Sequence, residues 1–145
     1  MGTSLTERVR PEWIDYNGHL TEGGYVFVFG YATDALMDHV GMGAEYRRTS
    51  GRSLYTVEAH VRYLDEVRED ADLRVLTRVV GAGSKKLRLC HEMRVGGALV
   101  ATEEIMALHV DRQQGRAVVF PEDVAASLAA EVEEVPDYAG RAVSG

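Results

Sequence analysis

The spacing of apolar residues changes its period once along the chain. Over residues 22–40, Tyr25, Val28 or Phe29, Ala32, Leu36 and Val40 recur at helical intervals, which predicts one long helix. The run Tyr25-Val26-Phe27-Val28-Phe29 is apolar nearly all round, the mark of a helix buried on several sides. Gly23, Gly24 and Gly30 each cost ~1 kcal/mol inside a helix, so close approach of a sheet, a partner helix or a ligand is expected to compensate. The second half, with Asp34 and Asp38, is more polar on one side and stops at Gly41.

On either side of that helix the pattern alternates. Residues 4–14 read as a first strand running into the polar turn Asp15-Tyr16-Asn17-Gly18-His19. A strand from residue 53 puts Tyr55, Val57, Ala59, Val61 and Tyr63 on one face, and Thr56, Glu58, His60 and Arg62 on the other. After a charged turn at 65–72, Leu73, Val75, Thr77 and Val79 mark the next strand, ended by the turn Gly81-Ala82-Gly83-Ser84. Leu87, Leu89, His91, Met93 and Val95 mark another, followed by Gly96-Gly97. Val100, Thr102, Glu104, Met106, Leu108 and Val110 share a face of the next. A short strand at 117–120 and a helix beginning at Pro121 complete the series. The expected fold class is α+β: one long helix wrapped by a five- or six-stranded antiparallel sheet, with a short C-terminal helix. Residues 1–135 form a single domain and residues 136–145 a loose tail.

Composition narrows the class. At 145 residues with 46% hydrophobic content the chain suits one domain with its own core. The single Cys90 excludes an intramolecular disulfide framework and fits a reducing compartment. No stretch approaches the ~18 apolar residues of a membrane span, and the start lacks the apolar run of a signal peptide, so a soluble cytoplasmic protein without membrane partners is expected. A net charge of −7 argues against nucleic-acid binding and slightly favours a cationic ligand.

Most familiar motifs are absent. The segment Gly81-Ala82-Gly83-Ser84-Lys85-Lys86 lacks phosphate-loop spacing and leads into a strand. There is no nucleophile elbow, and the five histidines lack metal-ligand spacing, so no metal and no cofactor is expected. Cys90, on the strand face opposite Leu89 and His91, reads as a structural thiol. The turn at 15–19 is different, because it sets a carboxylate, an amide and an imidazole at the mouth of a helix. A helix start presents unpaired N–H groups that can hold an oxyanion. Asp15 could serve there as a general base or as a nucleophile. The same residues also make an ordinary turn and cap.

Asp15-x-Asn17-x-His19, with Tyr25 ten residues after the Asp at the start of a long helix, resembles the signature of hotdog-fold acyl thioesterases. The likeness runs from about residue 5 to 133. It includes the acyl-CoA members related to 4-hydroxybenzoyl-CoA thioesterase, whose catalytic Asp matches Asp15. In plant acyl-ACP members Asp, Asn and His occur as DxNxHVNN; Asp15, Asn17 and His19 match, while Leu20-Thr21-Glu22 replaces Val-Asn-Asn. The resemblance implies homodimers or homotetramers with sites at the dimer interface. It also implies catalytic roles for Asp15, Asn17 and His19, and carbonyl binding by N–H groups near residues 22–24, including Gly24.

A narrower resemblance links the segment from Pro11 to His19, Tyr55-Thr56-Val57-Glu58 with Tyr63-Leu64-Asp65-Glu66, and Leu108-His109-Val110-Asp111 to betainyl-CoA thioesterases that accompany carnitine dehydrogenases. A trimethylammonium group would want aromatic faces and a carboxylate. Trp13, Tyr16, Tyr25, Tyr55 and Tyr63 are the candidate rings, with Glu58 or Glu104 for the charge; alternation separates Glu58 from Tyr55 and Tyr63. The CoA phosphates would meet Lys85, Lys86 and Arg88, or else Arg47, Arg48 and Arg52. Two other readings use the same fold: an acyl-CoA hydratase or dehydratase, and a non-catalytic acyl-CoA sensor.

Overall fold

The computed structural model describes residues 2–145. Its elements run β1 (Thr3–Arg8), a 3-10 turn (Pro11–Trp13), α1 (Glu22–His39), α2 (Ala44–Ser50), β2 (Arg52–Tyr63), β3 (Asp72–Ala82), β4 (Lys86–Val95), β5 (Ala98–Asp111), β6 (Arg116–Ala117) and α3 (Glu122–Glu131). The strands form one antiparallel sheet in the order β1-β3-β4-β5-β2, with β6 added to β5. This is the predicted α+β arrangement of a long helix against one curled sheet.

Helix α1 begins where Thr21 caps it, its hydroxyl accepting the Gly24 N–H at 3.2 Å. It packs over β1 and β3 and buries Tyr25, Val28, Phe29, Ala32, Leu36 and Met37. Beneath its first half lies a core of Trp13, Phe29, Val75, Met93 and Ala101. Beneath its second half lies another, of Leu36, Leu87, Leu89 and Ile105, closed by Phe120 and by Leu128 of α3. Each fully buried side chain of this size contributes roughly 1.5–3 kcal/mol. Gly24 meets the expectation of close approach, since a Cβ there would collide with Leu20 Cδ1. Gly23 and Gly30 face open space instead.

Four expectations change, and the short strand expected at 117–120 shrinks to Arg116–Ala117. The first strand stops at Arg8, because Pro11 opens a 3-10 turn that carries Trp13 into the core. Residues 44–50, which the sequence left without an element, form α2, ended by Gly51 at φ 69°. In β2 the register slips between Thr56 and Glu58, so Val57 is a bulge and the faces exchange there. Ala59, Val61 and Tyr63 therefore face the helix side with Leu54, whereas Tyr55 and Glu58 share the outer face. The tail is docked: Tyr138 donates to Glu92 Oε2 at 2.9 Å and the Gly140 N–H to Glu104 Oε1 at 2.6 Å, across the outer face of β4 and β5. Beneath it Cys90 is fully buried, and burial pushes its thiol up to about 11, which fits the structural reading.

Strand β2 is a sheet edge, hydrogen-bonded on one side only. It exposes Tyr55, Val57 and Tyr63, and α1 exposes Val26 and Phe27. No helix among the described residues is long and apolar enough to cross a membrane.

Candidate active site

Ile14 and Leu20 pair as a single antiparallel bridge, which makes residues 15–19 the tip of a miniature hairpin just ahead of α1. Gly18 takes φ 79°, a left-handed conformation that suits glycine and closes the tip. The Leu20 N–H donates to Val67 O at 2.7 Å and Thr21 N–H to Trp13 O at 2.8 Å, so the hairpin is tied to the body on both sides. Asp15 Oδ1 accepts the Asn17 N–H at 2.8 Å and the His19 N–H at 3.2 Å. One carboxylate oxygen thus fixes the turn, while Oδ2 takes no hydrogen bond from the described residues. Three residues on from His19, α1 opens with Glu22 and Gly23, whose N–H groups fall in the first turn where no intrahelical acceptor exists.

Beside this start lies a cleft of about 440 Å3. Its walls include His19, Glu22, Tyr25, Tyr63, Asp65 and Glu66, and no Lys or Arg lines it. Tyr25 meets Tyr63 edge-on with ring centroids 5.1 Å apart, and its hydroxyl donates to Asp65 O at 2.9 Å. Burial, then the nearby Asp65 carboxylate, pushes the Tyr25 hydroxyl up. The imidazole of His19 sits 3.1 Å from Glu66 Oε2. The cleft is therefore aromatic and anionic, as suits a cation.

The predicted site residues divide. His19, Tyr25 and Tyr63 line the cleft, and Asp15 and Asn17 sit in the turn ahead of it; Gly24 lies in the first turn of α1, but its N–H is taken by Thr21, which leaves Glu22 and Gly23 as the donors for a carbonyl. The Trp13 ring does not line the cleft, although its carbonyl ties the turn: it is 7% exposed, packed against Phe27 and Tyr31 with the Arg10 guanidinium 4.9 Å from it. The Tyr16 ring is 97% exposed at the hairpin tip and lines no wall of the cleft. Glu104 lies on the outer face of the sheet, paired to Arg88, because alternation along β5 turns it away from α1. Arg88 is correspondingly neutralised. Lys85 and Lys86 stand at the β3–β4 turn, seven residues of strand from the cleft by the pairings Lys86–Leu108 and Met93–Ala101, or roughly 20 Å within one protomer. The alternative cations are used internally: Arg47 on Met42 O, Arg48 on Glu45 and Arg52 on Asp111.

Sequence reasoning missed a buried polar cluster on the inner face of the sheet. His91 is fully buried, stacked on Phe29 at 5.6 Å, with Nε2 3.0 Å from Thr33 Oγ1 and Nδ1 2.8 Å from Thr77 Oγ1. Burial lowers its pKa to about 3, so it is neutral. Glu103, 5% exposed, lies 3.6 Å from it, and burial pushes its carboxyl up to about 7. The signal was present: Glu103 interrupts the apolar alternation Ala101, Ile105, Ala107. No group of three or more His, Cys, Asp or Glu among the described residues is arranged to hold a metal ion.

Comparison with known proteins supplies the family. Residues 9–128 match the model of the thioesterase-like superfamily. The betainyl-CoA thioesterase of Pseudomonas aeruginosa is 40% identical over 148 residues, covering 97% of this chain and 93% of that protein. The L-carnitine dehydrogenase/betainyl-CoA thioesterase of Agrobacterium fabrum is 46% identical over 140 residues, covering 93% of this chain and 29% of that longer protein. The chain thus spans less than a third of the Agrobacterium relative. A Staphylococcus aureus protein solved in complex with CoA superposes with a TM-score of 0.91 at 23% identity, covering 99% of this chain and 95% of the other. The chain belongs to the thioesterase-like superfamily and is a thioesterase with the hotdog fold.

Proposed function

We propose that this thioesterase hydrolyses betainyl-CoA to glycine betaine and free CoA. The observation that carries the reading is the cleft at the start of α1, with two tyrosine rings and the carboxylates of Glu22, Asp65 and Glu66 but no lysine or arginine. A trimethylammonium group gains roughly 0.5–2 kcal/mol from each ring it meets and more from nearby negative charge. The names of the Pseudomonas and Agrobacterium relatives point to the same acyl group.

Asp15 acts through Oδ2, the oxygen left over once Oδ1 has accepted the Asn17 and His19 N–H groups. As a base it takes a proton from water while the hydroxide adds to the thioester carbon. As a nucleophile it adds directly and water releases the acyl group afterwards. In both routes the C–S bond breaks, the CoA sulfur leaves with a proton, and N–H groups of the first turn of α1 hold the carbonyl oxygen. Asn17 and His19 hold the turn, and the site needs no cofactor beyond the CoA ester itself.

The partner is a second copy of the chain. The unpaired β2 edge with the exposed Val57 and Tyr63, and the exposed Val26 and Phe27 of α1, offer it apolar surface and free backbone groups. Antiparallel pairing along β2 exchanges the ends of the sheet, which brings the Lys85-Lys86 end of one protomer toward the cleft of the other, where the CoA phosphates would lie.

The test is thiol release from betainyl-, benzoyl-, short-chain and long-chain acyl-CoA by the protein and by Asp15→Asn. We expect betainyl-CoA to be the preferred ester and kcat to fall about a thousandfold in the variant. Binding of CoA esters without thiol release would replace this reading with the sensor, and conversion without thiol release with the hydratase.

A further inference from the structure

The mechanism above leaves Glu103 unused. Its side chain is 7% exposed and takes no hydrogen bond from any described residue. The nearest ionisable group is His91 at 3.6 Å, both of whose ring nitrogens are already engaged by Thr33 and Thr77. His91 is also kept neutral by its burial, so it supplies no compensating charge. A carboxylate buried without a donor or a cation is costly, and proteins that merely bury an acid surround it with donors.

The surroundings say what it is for. Glu103 sits on the inner face of the sheet, opposite Val61 of β2 and His91 of β4. One step along the same face, Tyr63 stands opposite Ala101, close enough that the Glu103 charge raises the Tyr63 hydroxyl after burial and Glu22 have done so. Tyr25 packs edge-on against Tyr63. A primary ammonium would bring three N–H groups that need acceptors all round it. A quaternary ammonium brings none; its methyl groups pack on rings and its charge needs only a nearby anion.

We propose that Glu103 recognises a quaternary ammonium on the acyl group, with the Tyr63 and Tyr25 rings beside it. This rests on the betainyl-CoA reading and names the residue that reads the charge. Glu103 is a specificity residue; it takes no part in breaking the thioester.

The test uses the full chain and a pair of esters, betainyl-CoA and its neutral carbon isostere 3,3-dimethylbutyryl-CoA. The readout is the ratio of kcat/KM for the cation to kcat/KM for the isostere. We expect the protein to favour the cation and Glu103→Gln to lower the ratio by about tenfold or more, as for a charge partner removed from a desolvated site. Turnover of the isostere by the variant reports that it is folded. A ratio unchanged in the variant, or a protein indifferent to the charge, overturns the proposal while leaving the thioesterase standing. If neither ester is hydrolysed, the substrate reading falls, and calorimetry with glycine betaine and 3,3-dimethylbutyrate decides on Glu103 alone. Betaine binding that Glu103→Gln weakens about tenfold would uphold its role; equal binding of the two acids, or no binding of betaine, would end it.

Discussion

Glu92 and Glu103 are glutamates of similar burial, 6% and 5% exposed, on opposite faces of one sheet. On the outer face, Glu92 receives Arg78, Arg94 and the Tyr138 hydroxyl. Burial pushes its carboxyl up, but the hydrogen bonds from Arg78 and Tyr138 and the charges of Arg78 and Arg94 together outweigh burial and leave it below the ordinary value. On the inner face, Glu103 meets burial alone and rises to about 7. At similar surface exposure, the plain difference between them is the set of donors. One acid is part of the structure, held by the docked tail; the other has no donor among the described residues and lies one step along the inner face from Tyr63, which lines the cleft. Buried acids with strongly raised pKa values cluster at functional sites, which singles Glu103 out as a ligand contact.

The largest expected effect is on stability against pH. The folded Glu103 carboxyl, at about 7 against an ordinary 4.5, holds a proton that the unfolded chain has already lost between those values. Its contribution therefore falls as pH rises from about 4.5 and levels off above about 7, a loss of ~3 kcal/mol in all. Glu103→Gln removes that slope, so urea unfolding should show the variant gaining ~3 kcal/mol on the parent between pH 4.5 and pH 8. Glu92 has the opposite sign, since its folded value is depressed: its contribution is present above the ordinary range and is lost on acidification. Parallel pH profiles for the parent and Glu103→Gln would break the comparison.

The next test asks whether the inner cluster is fixed in place. Thr77→Val leaves the Nδ1 of the buried His91 without its 2.8 Å partner, at a cost of ~2 kcal/mol in denaturant unfolding. A loss below a few tenths of a kcal/mol would mean that His91 turns freely toward Glu103 and that the carboxylate is not donorless.

The two faces were not equally legible. The period change from helix to strand placed α1 within a residue of its observed ends, and the inner face of β4 was read correctly from Leu87 to Met93. The turn at 15–19 was legible because its residue types are specific to that geometry. The bulge at Val57 was not, since Val suits either face of a strand and nothing local marks the slip. The docking of residues 136–140 was invisible for another reason. It depends on Glu92 and Glu104, two strands and more than 30 residues away, meeting the Tyr138 hydroxyl and the Gly140 N–H. Glu104 drew attention as an acid in a hydrophobic stretch, yet Glu103 is the acid that the alternation buries on the helix side.

The smallest effect belongs to the outer face, and it checks that the tail is part of the fold. Tyr138→Phe removes the 2.9 Å bond to Glu92 Oε2 while Arg78 still reaches the same oxygen. The carboxylate is then under-bonded, not orphaned, so unfolding should register only ~1 kcal/mol. The thiol beneath is the more sensitive reporter. Burial is the main cause of the raised Cys90 pKa, so a loosened tail should let a thiol reagent reach Cys90 faster in the variant than in the parent. Glu103 lies on the far side of the sheet, and the ratio of cationic to neutral ester turnover should not move with Tyr138→Phe. If that ratio does move, the two faces communicate through β4 and β5, and the separation between a structural acid and a recognition acid has to be given up.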